Sequence, residues 1–555
     1  MKTNIVDSIM ADSTKCIGIH SRISMLKTGF RRFFTSTFFF MAVCSAGASE
    51  TQTVFEKIIQ NVVEQQLSGA SITYEDGQTS EYLKSLRADG SFPDINYKST
   101  SQTNWAPNYH LDRMRYMAIS YISPKSKYYG DEILHNAIVN MLNYWYDVNP
   151  WSTNWFNQEI GWPQRMGLNL CLLRAGKEQV PQELESKILK RMRDISKGPD
   201  QPGSQGSGAN KMDIALQWIY RSTLQADKET LDFLVEQFYY PLKFNTGEGM
   251  QSDYSYLQHS TQLYIGGYGE SVLNATLKVS FFLVDTEYAG GDNMELISNF
   301  LLKAYIPTIR GHYMMYNAIG RGMARKGGTS RSSFVSSLES MKKLDPANIN
   351  KYDEAVKRIS GKESVSFGLE SYNRHFWRAD YTLHQRPEYT IDVRMASKRT
   401  RRCENGNGEN LKGYFITEGG TQIVMRGDEY VDIYPVWDWS HIPGTTTPAL
   451  TKVPQPGAWG QNGQSSFAGG VSDSIYGVTT YQMVDNTNNI NTSGKKSWFF
   501  FDKEIVCMGN DISSTNASPI NTTVNQCLLN GKVQIAKSDG TVAYPSYGER
   551  EYDDL

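Results

Sequence analysis

The sequence of 555 residues is poor in cysteine and carries almost no net charge. Beyond the first fifty residues only Cys171, Cys403, Cys507 and Cys527 are present, without close paired spacing. This pattern argues against a zinc ribbon or a redox motif and favours buried free thiols or one incidental disulfide. A formal net charge of −2 gives no global basic field, so we do not expect a nucleic-acid partner.

Several catalytic motifs are also missing. The sequence contains no HExxH motif, no phosphate-binding P-loop and no GxSxG nucleophile elbow. Its eight histidines include no close pair with the spacing of metal ligands. No later apolar run is long enough to span a bilayer, so we expect no membrane span.

The first fifty residues differ from the rest in composition. Arg31 and Arg32 precede an apolar run that ends in an Ala-x-Ala sequence at Ala48, the layout of a secretory signal. We therefore predict a signal peptide at residues 1–48 and a secreted or periplasmic protein. Met25 as the true start would give a signal of more ordinary length.

Hydrophobic periodicity divides the remaining chain in two. Over residues 50–345, segments such as TVFEKIIQNVVEQQL repeat apolar positions at three and four, which predicts many antiparallel helices. Over residues 360–555, short β-branched and aromatic segments such as YTIDVRMASKR predict an antiparallel β domain. The Gly-, Ser- and Lys-rich segment 327–365 is the predicted connection. The cleft between the two domains is the expected ligand site.

Aromatic residues make up 12% of the sequence, an excess that fills cores or lines grooves for sugar chains. One stretch, NYWYDVNPWSTNWFNQEIGW, is equally compatible with a stacking platform and with a helix-bundle core. Its large rings are Trp145, Trp151, Trp155, Phe156 and Trp162.

The stretch SDYSYLQHSTQLYIGGYGE places His259 nine residues before Tyr268, with Gly266 and Gly267 between them. On one straight helix nine residues turn the chain by about 900°, so the two side chains would face opposite sides. Each glycine inside a helix costs roughly 1 kcal/mol relative to alanine, so the pair is better explained as a break that redirects Tyr268. A lone histidine in an aromatic segment is otherwise more often structural than catalytic.

Polar side chains in three further segments have both a structural and a functional interpretation. Asn210 precedes a helical run, where it is a cap or a donor to an acidic substrate group. Arg321 and Arg325 are either exposed surface residues or part of a glycine-rich loop that approaches an anion. Glu404 and Asn407 follow a basic strand end and are a weak signal alone.

Together these segments resemble polysaccharide lyase family 8, the enzymes that cleave chondroitin, hyaluronan and related uronic-acid polymers. The motifs NWFNQEIG, GANKMDIAL, SDYSYLQHSTQL, GRGMAR, VRMASKRTRRCENGN and PVWDW occur in the family's order. The resemblance implies an α+β multidomain fold, with an N-terminal incomplete (α/α) toroid followed by an antiparallel β-sandwich domain. It also implies that the C-terminus, YGEREYDDL, falls inside the β region, as in a truncated chain.

The resemblance implies catalytic roles for six residues: Asn210, His259, Tyr268, Arg321, Arg325 and Glu404. It implies substrate binding by Trp155, Phe156 and Trp459, whose rings would stack on sugars, and by Asn407. Family members often have a second tryptophan where this chain has Phe156.

The implied reaction is β-elimination at a 4-linked uronic acid. Asn210 and His259 would hydrogen-bond the carboxylate, and Tyr268 would take the C5 proton and return one to the glycosidic oxygen. Phenols ordinarily ionise at about pH 10, and basic neighbours such as Arg321 favour the phenolate. The sequence leaves open how His259 and Tyr268 share the role of base, and whether chondroitin or hyaluronan is preferred.

The calcium site of the family is only partly matched. Its ligand positions are occupied here by Asp438, Ser440, Ala449 and Leu450. One carboxylate is too few for a hard cation that needs several oxygens, so we predict no metal and no cofactor.

Two other functions remain open. A glycoside hydrolase on the same helical toroid would use Glu159 and Asp213 as its two carboxylates. A non-catalytic glycan-binding protein would need only the aromatic and basic residues. For the lyase, the predicted partner is an acidic polysaccharide, a glycosaminoglycan, bound by a monomer.

Overall fold

The computed structural model describes residues 52–196, 198–200, 208–289 and 291–544. The predicted signal peptide at residues 1–48 therefore lies outside the described residues. The chain from Gln52 onward clusters into one compact unit. Over the described ranges, none of the helices combines the length and the hydropathy that a membrane crossing requires.

The helical part occupies the first three hundred or so described residues. Its helices are α1 (Val54–Gly69), α2 (Ile72–Ser85), α3 (Asn108–Ile122), α4 (Glu132–Val148), α5 (Trp162–Leu173), α6 (Gln182–Ile195), α7 (Gly208–Gln225), α8 (Lys228–Tyr239), α9 (Tyr268–Phe282), α10 (Asp292–Phe300), α11 (Val335–Leu344) and α12 (Ile349–Ile359). Helix α1 begins with a capping box, in which the Thr53 hydroxyl accepts from the Glu56 amide and the Glu56 carboxylate accepts from the Thr53 amide.

Alternate helices form an inner and an outer layer. Helices α3, α5, α7 and α9 pack against one another in succession, whereas α2 lies on α3 and α8 on α7. The inner helix α5 buries ten of its twelve residues, and the outer helix α6 buries five of fourteen. A helix that is apolar all round needs neighbours on every side, and an amphipathic one needs them on one side only. This arrangement confirms the predicted (α/α) toroid.

The strands of the described chain are antiparallel and have two to ten residues. They are β1 (Gly249–Met250), β2 (Tyr256–Gln258), β3 (Gln262–Leu263), β4 (Ile309–Arg310), β5 (Tyr313–Met314), β6 (Tyr372–Phe376), β7 (Tyr381–Gln385), β8 (Thr390–Met395), β9 (Glu418–Val424), β10 (Thr446–Pro448), β11 (Ala468–Ser472), β12 (Gly477–Asp485), β13 (Thr492–Phe500), β14 (Ile505–Ser514), β15 (Ile520–Thr522), β16 (Ile535–Ala536) and β17 (Val542–Ala543). The two four-stranded sheets have the orders β6-β7-β8-β9 and β11-β12-β13-β14.

A separate apolar core joins these two sheets. Ile391 and Val393 of β8 pack with Tyr481 of β12 and with Trp498 and Phe500 of β13. The alternation of these residues along each strand places one face of each sheet inside. The predicted antiparallel β-sandwich is confirmed.

Two features differ from the sequence interpretation. The segment 327–365, predicted as the connection, contains two helices, α11 and α12. Tyr352, Ala355 and Ile359 of α12 are buried at helical spacing, and this periodicity outweighs the local excess of Gly, Ser and Lys. The described cysteines are all free thiols, but Cys507 and Cys527 are exposed rather than buried.

The turn that follows β5 attaches the helical part to the first large sheet. The Tyr316 amide donates to Gln422 Oε1 at 2.6 Å, and Asn317 Nδ2 donates to Asp392 Oδ1 at 2.8 Å. Burial raises the pKa of Asp392 to about 7. Because this turn leads directly into the segment with Arg321 and Arg325, these contacts fix those arginines against the sheet.

Candidate active site

His259 lies at the tip of the tight hairpin between β2 and β3, not on a helix. His259 and Ser260 have φ values of 52° and 72°, in a region that side-chain-bearing residues rarely adopt. The Glu248 carboxylate holds this turn, accepting from the Ser260 amide at 2.6 Å and from Gln258 Nε2 at 2.9 Å. Such strain is typical of functional positions that the surrounding structure enforces.

The glycine pair redirects the chain, as the sequence predicted. Gly267 has a φ of 64° and caps α9, whose first residue is Tyr268. A Cβ on Gly266 would lie 2.7 Å from Met314 Sδ and 2.9 Å from Arg331 Nη2, so a side chain there would have to displace these two groups. The break brings the rings of His259 and Tyr268 to a centroid distance of 4.9 Å, at an angle of 74°.

Glu404 is the buried centre of the site. Both of its carboxylate oxygens lie 2.9 Å from His259 Nδ1, and Oε1 lies 2.5 Å from Arg321 Nη1. Oε1 also accepts a hydrogen bond from the Tyr264 hydroxyl. Burial opposes ionisation, but His259, Tyr264 and Arg321 outweigh it and lower the pKa of Glu404 below its ordinary value. The carboxylate is therefore charged and fully paired.

The contact with Glu404 fixes the tautomer of His259. An ionised carboxylate only accepts hydrogen bonds, so Nδ1 of the histidine must carry a hydrogen. Nε2, on the opposite edge of the ring, is then the nitrogen that can accept a hydrogen bond or a proton. A histidine held in this way can bind or exchange a proton at one defined atom.

Glu409 joins the two arginines, and the sequence interpretation missed it. Its carboxylate accepts from Arg321 Nε at 3.2 Å and from Arg325 Nε and Nη2 at 2.7 and 3.0 Å. Arg321 is buried and Arg325 is 58% exposed, so only the second fits the interpretation as a surface residue. The only sequence signal for Glu409 was its place as the second acidic residue in CENGNGEN. Its two arginine partners are more than eighty residues away in the sequence.

Trp459 covers one side of this cluster. Its ring lies 5.1 Å from the ring of His259, and the Arg321 guanidinium lies 5.2 Å from its centroid. The ring is 44% exposed, which leaves area for a sugar to stack on.

The aromatic stretch before α5 divides between core and surface. Trp145 and Trp162 are each 2% exposed and belong to the core, whereas Phe156 is 40% exposed. Trp155 is partly exposed, and its ring lies 6.1 Å from that of Phe156. The core interpretation therefore holds for Trp145 and Trp162, whereas stacking of sugars on Trp155 and Phe156 stays a prediction.

Asn210 and Asn407 lie on segments that adjoin those of His259 and Glu404. Asn210 is a partly exposed residue in the first turn of α7, and a Cβ on Gly208 would lie 2.9 Å from Gln258 Oε1. The start of α7 thus meets the strand that leads to His259. Asn407 is exposed, with a φ of 53°, at the turn between Glu404 and Glu409.

The two carboxylates of the hydrolase alternative lie on helical segments, Glu159 buried and Asp213 partly exposed. Glu159 is 9% exposed, in the π-helical turn Asn157–Gly161 that precedes α5. Asp213 accepts from Gln164 Nε2 at 3.2 Å, and burial raises the pKa of Asp213 to about 6.

The residues at the family's calcium positions do not fit a calcium ion. The Asp438 carboxylate accepts from the Ser440 amide at 2.9 Å, from the Ser440 hydroxyl at 2.8 Å and contacts His441 Nδ1 at 2.8 Å. Ala449 and Leu450 offer no side-chain oxygen, and Ca²⁺ needs six to eight oxygen ligands. Among the described residues there is no group of three or more acidic, His or Cys side chains that could hold a metal ion.

Comparisons with known proteins match both parts of the chain. Residues 54–359 match the N-terminal alpha-helical domain of polysaccharide lyase family 8, and residues 371–551 match the super-sandwich domain of the same family. The chain is 40% identical over 454 residues to the Chondroitinase-AC of Pedobacter heparinus, covering 81% of this chain and 63% of that protein. It is 24% identical over 490 residues to the hyaluronate lyase HylB of Enterococcus faecalis, covering 76% of this chain and 48% of that protein.

A solved structure of a chondroitinase AC lyase with oligosaccharides has a TM-score of 0.84 and 38% sequence identity, covering 90% of this chain and 72% of that chain. The chain spans about half to two thirds of the length of the two relatives named above. The two family matches together cover most of the sequence. The chain therefore belongs to polysaccharide lyase family 8.

Proposed function

We propose that this protein is a polysaccharide lyase that cleaves uronic-acid-containing glycosaminoglycans, chondroitin sulfate and hyaluronan, by β-elimination. The observation that carries the proposal is the pairing of His259 and Tyr268, with rings 4.9 Å apart, beside a histidine nitrogen fixed by Glu404. Membership of the family and the similarity to Chondroitinase-AC support the substrate class.

In this proposal the substrate carboxylate is neutralised first. The C5 proton of a uronate is very weakly acidic while the adjacent carboxylate is fully charged. Asn210 donates a hydrogen bond to that carboxylate, and Nε2 of His259 does so as well when the ring is an imidazolium with a proton on both nitrogens. Together they stabilise the enolate-like state that develops as the proton leaves. Glu404 serves as a positioning residue, since it holds the imidazole without contacting the substrate.

Tyr268 transfers the proton in this proposal. The C5–H bond breaks toward the phenol oxygen, the C4–C5 double bond forms, and the bond from C4 to the glycosidic oxygen breaks. The leaving oxygen receives a proton from Tyr268, so no water is consumed. Arg321, whose guanidinium lies 6.0 Å from the Tyr268 ring centroid, stabilises the negative charge of the phenolate.

The same geometry is less suited to glycoside hydrolysis. A hydrolase needs two carboxylates across the scissile bond, one of them a proton donor. Glu404 is fully buried and accepts from three partners, and the charged form is favoured because its pKa is lowered. Glu404 therefore cannot be the proton donor of a hydrolase, and that alternative would depend on Glu159 and Asp213 in the helical part.

The proposal is tested by incubating the protein with chondroitin-4-sulfate, chondroitin-6-sulfate, dermatan sulfate and hyaluronan. Ultraviolet absorbance of a 4,5-unsaturated uronate should rise with at least one of them. New reducing ends without this absorbance would identify a hydrolase instead. Binding of the polymer without any new chain ends would identify a glycan-binding protein.

The location and assembly of the protein are part of the same proposal. The signal-like sequence that ends at Ala48 supports secretion or export to the periplasm, where polymeric substrates are accessible. We propose that the protein acts as a monomer and requires no metal or other cofactor.

A further inference from the structure

A cavity of about 530 Å³ lies next to the candidate active site, on the far side of Arg325. It lies between the segment that follows Arg321 and two loops of the strand-rich part, one before β9 and one after it. Its main lining residues are Arg325, Lys326, Lys412, Asp432, Tyr434 and Trp439. Its volume is in the range of small-molecule sites, and the nearly buried rings of Tyr434 and Trp439 contribute to its wall.

The lining of this cavity carries an excess of positive charge. Three cationic side chains face one carboxylate, that of Asp432, whose Oδ1 also accepts from the Gly327 amide at 2.8 Å. Glu409 fixes the Arg325 guanidinium through two hydrogen bonds. Within the described ranges, Lys326 and Lys412 have no carboxylate within salt-bridge distance. The two ammonium groups are therefore available to an external anion.

Arg325 connects this cavity to the reaction centre. The same residue lines a second cavity of about 410 Å³, together with Tyr268, Ser271 and Arg321. A polymer bound at Tyr268 can therefore continue past Arg325 into the larger cavity. In an acidic polysaccharide, the next anionic group along the chain would then meet the two lysines.

We infer that Lys326 and Lys412 form a binding site for a second anionic group of the sugar chain, a carboxylate or a sulfate ester, beyond the sugar that reacts. The inference rests on the proposed lyase function, because it assumes that the polymer passes Tyr268. The site recognises charge through point-like ammonium groups, so it accepts either oxyanion.

The inference is tested with the Lys326→Gln/Lys412→Gln double variant, made in the Tyr268→Phe chain so that no substrate is consumed. Calorimetry measures its affinity for size-fractionated oligosaccharides of hyaluronan, unsulfated chondroitin and chondroitin-4-sulfate. Two partly exposed ion pairs are expected to change the affinity by about three- to tenfold, for the longer oligosaccharides only. An effect with hyaluronan identifies the carboxylate as the ligand, and an effect with chondroitin-4-sulfate alone identifies the sulfate.

A matched control is the Lys503→Gln/Lys532→Gln variant, which removes two exposed lysines outside the cavity. Equal losses in the two double variants would overturn the inference, because general charge attraction would explain both. An unchanged affinity, or an equal loss for the shortest oligosaccharide, would also overturn it.

If the unmodified chain makes no unsaturated product but length-dependent binding still requires the two lysines, the lyase proposal fails and the binding site stands. In the active chain, the KM of the polymer should rise with kcat unchanged.

Discussion

At the scale of single residues, Glu404 determines the arrangement of the candidate site. It fixes the histidine tautomer and compensates the buried Arg321, so the site depends on its charge. Breaking one partner of a buried ion pair typically destabilises a protein by about 3–5 kcal/mol. Glu404→Gln is therefore expected to lower both the melting temperature and the rate of product formation.

The pH dependence of the stability of Glu404→Gln distinguishes a loss of charge interactions from a loss of packing. The pKa of Glu404 is lowered in the folded protein, so its contribution is present above the unfolded value of about 4.3 and is lost as the pH falls through the folded value. The stability difference between wild type and Glu404→Gln, measured by denaturant unfolding, should be largest near neutral pH and shrink below about pH 4. A difference that stays constant down to pH 3 would assign the effect to packing.

Two tryptophans from one stretch provide a matched pair. Trp155 is partly exposed, so Trp155→Ala should weaken substrate use by on the order of 1–3 kcal/mol and leave the melting temperature nearly unchanged. Trp145 is 2% exposed, so Trp145→Ala should cost about 3–5 kcal/mol of folding stability. Thermal unfolding and kcat/KM measured on both variants check this. A large loss of stability in Trp155→Ala would place that ring in the core.

At the scale of secondary-structure elements, local sequence patterns predicted most of the fold. Apolar spacing of three and four predicted the helices, and Gly266-Gly267 predicted the break before α9. Helices α11 and α12 were not singled out because the Gly and Ser residues that flank them dominate the composition of segment 327–365. Glu409 was missed because its role depends on Arg321 and Arg325, which come close only in the folded chain. Local sequence patterns therefore predict helices and strands, whereas contacts between segments that are distant in sequence become visible only in the structure.

The role of the chain break before α9 can be tested by comparing alanine variants of two glycines. Gly267 and Gly361 both have positive φ, 64° and 72°, but a Cβ on Gly361 meets nothing within 4 Å, while one on Gly267 lies 3.1 Å from the Tyr264 ring. Both alanine variants should lose about 1–3 kcal/mol of stability through backbone strain. Only Gly267→Ala should also lose activity, because it displaces Tyr268. Equal activities of the two variants would show that the geometry at Gly267 does not position the tyrosine.

At the scale of the whole molecule, we predict that neither folding nor activity depends on calcium. Asp438 and Ser440, at two of the family's ligand positions, hydrogen-bond with each other and with His441, whose Nε2 lies 3.0 Å from Asn521 Nδ2. EDTA should therefore leave the melting temperature and the rate of product formation unchanged. Loss of either property with EDTA, restored by calcium, would contradict this prediction.

The most direct test of the proposed mechanism is the rate of unsaturated product formation by Tyr268→Phe, with polymer affinity measured separately. The change deletes the phenol oxygen and keeps the ring, so folding and affinity should be retained. Proton transfer by a positioned group contributes about 10²–10⁴-fold, and Tyr268 acts as both base and acid, so the rate should fall by the upper part of that range or more. A variant that retains more than about a tenth of the wild-type rate, a deficit below roughly 1.4 kcal/mol, would show that Tyr268 is not the proton-transfer group.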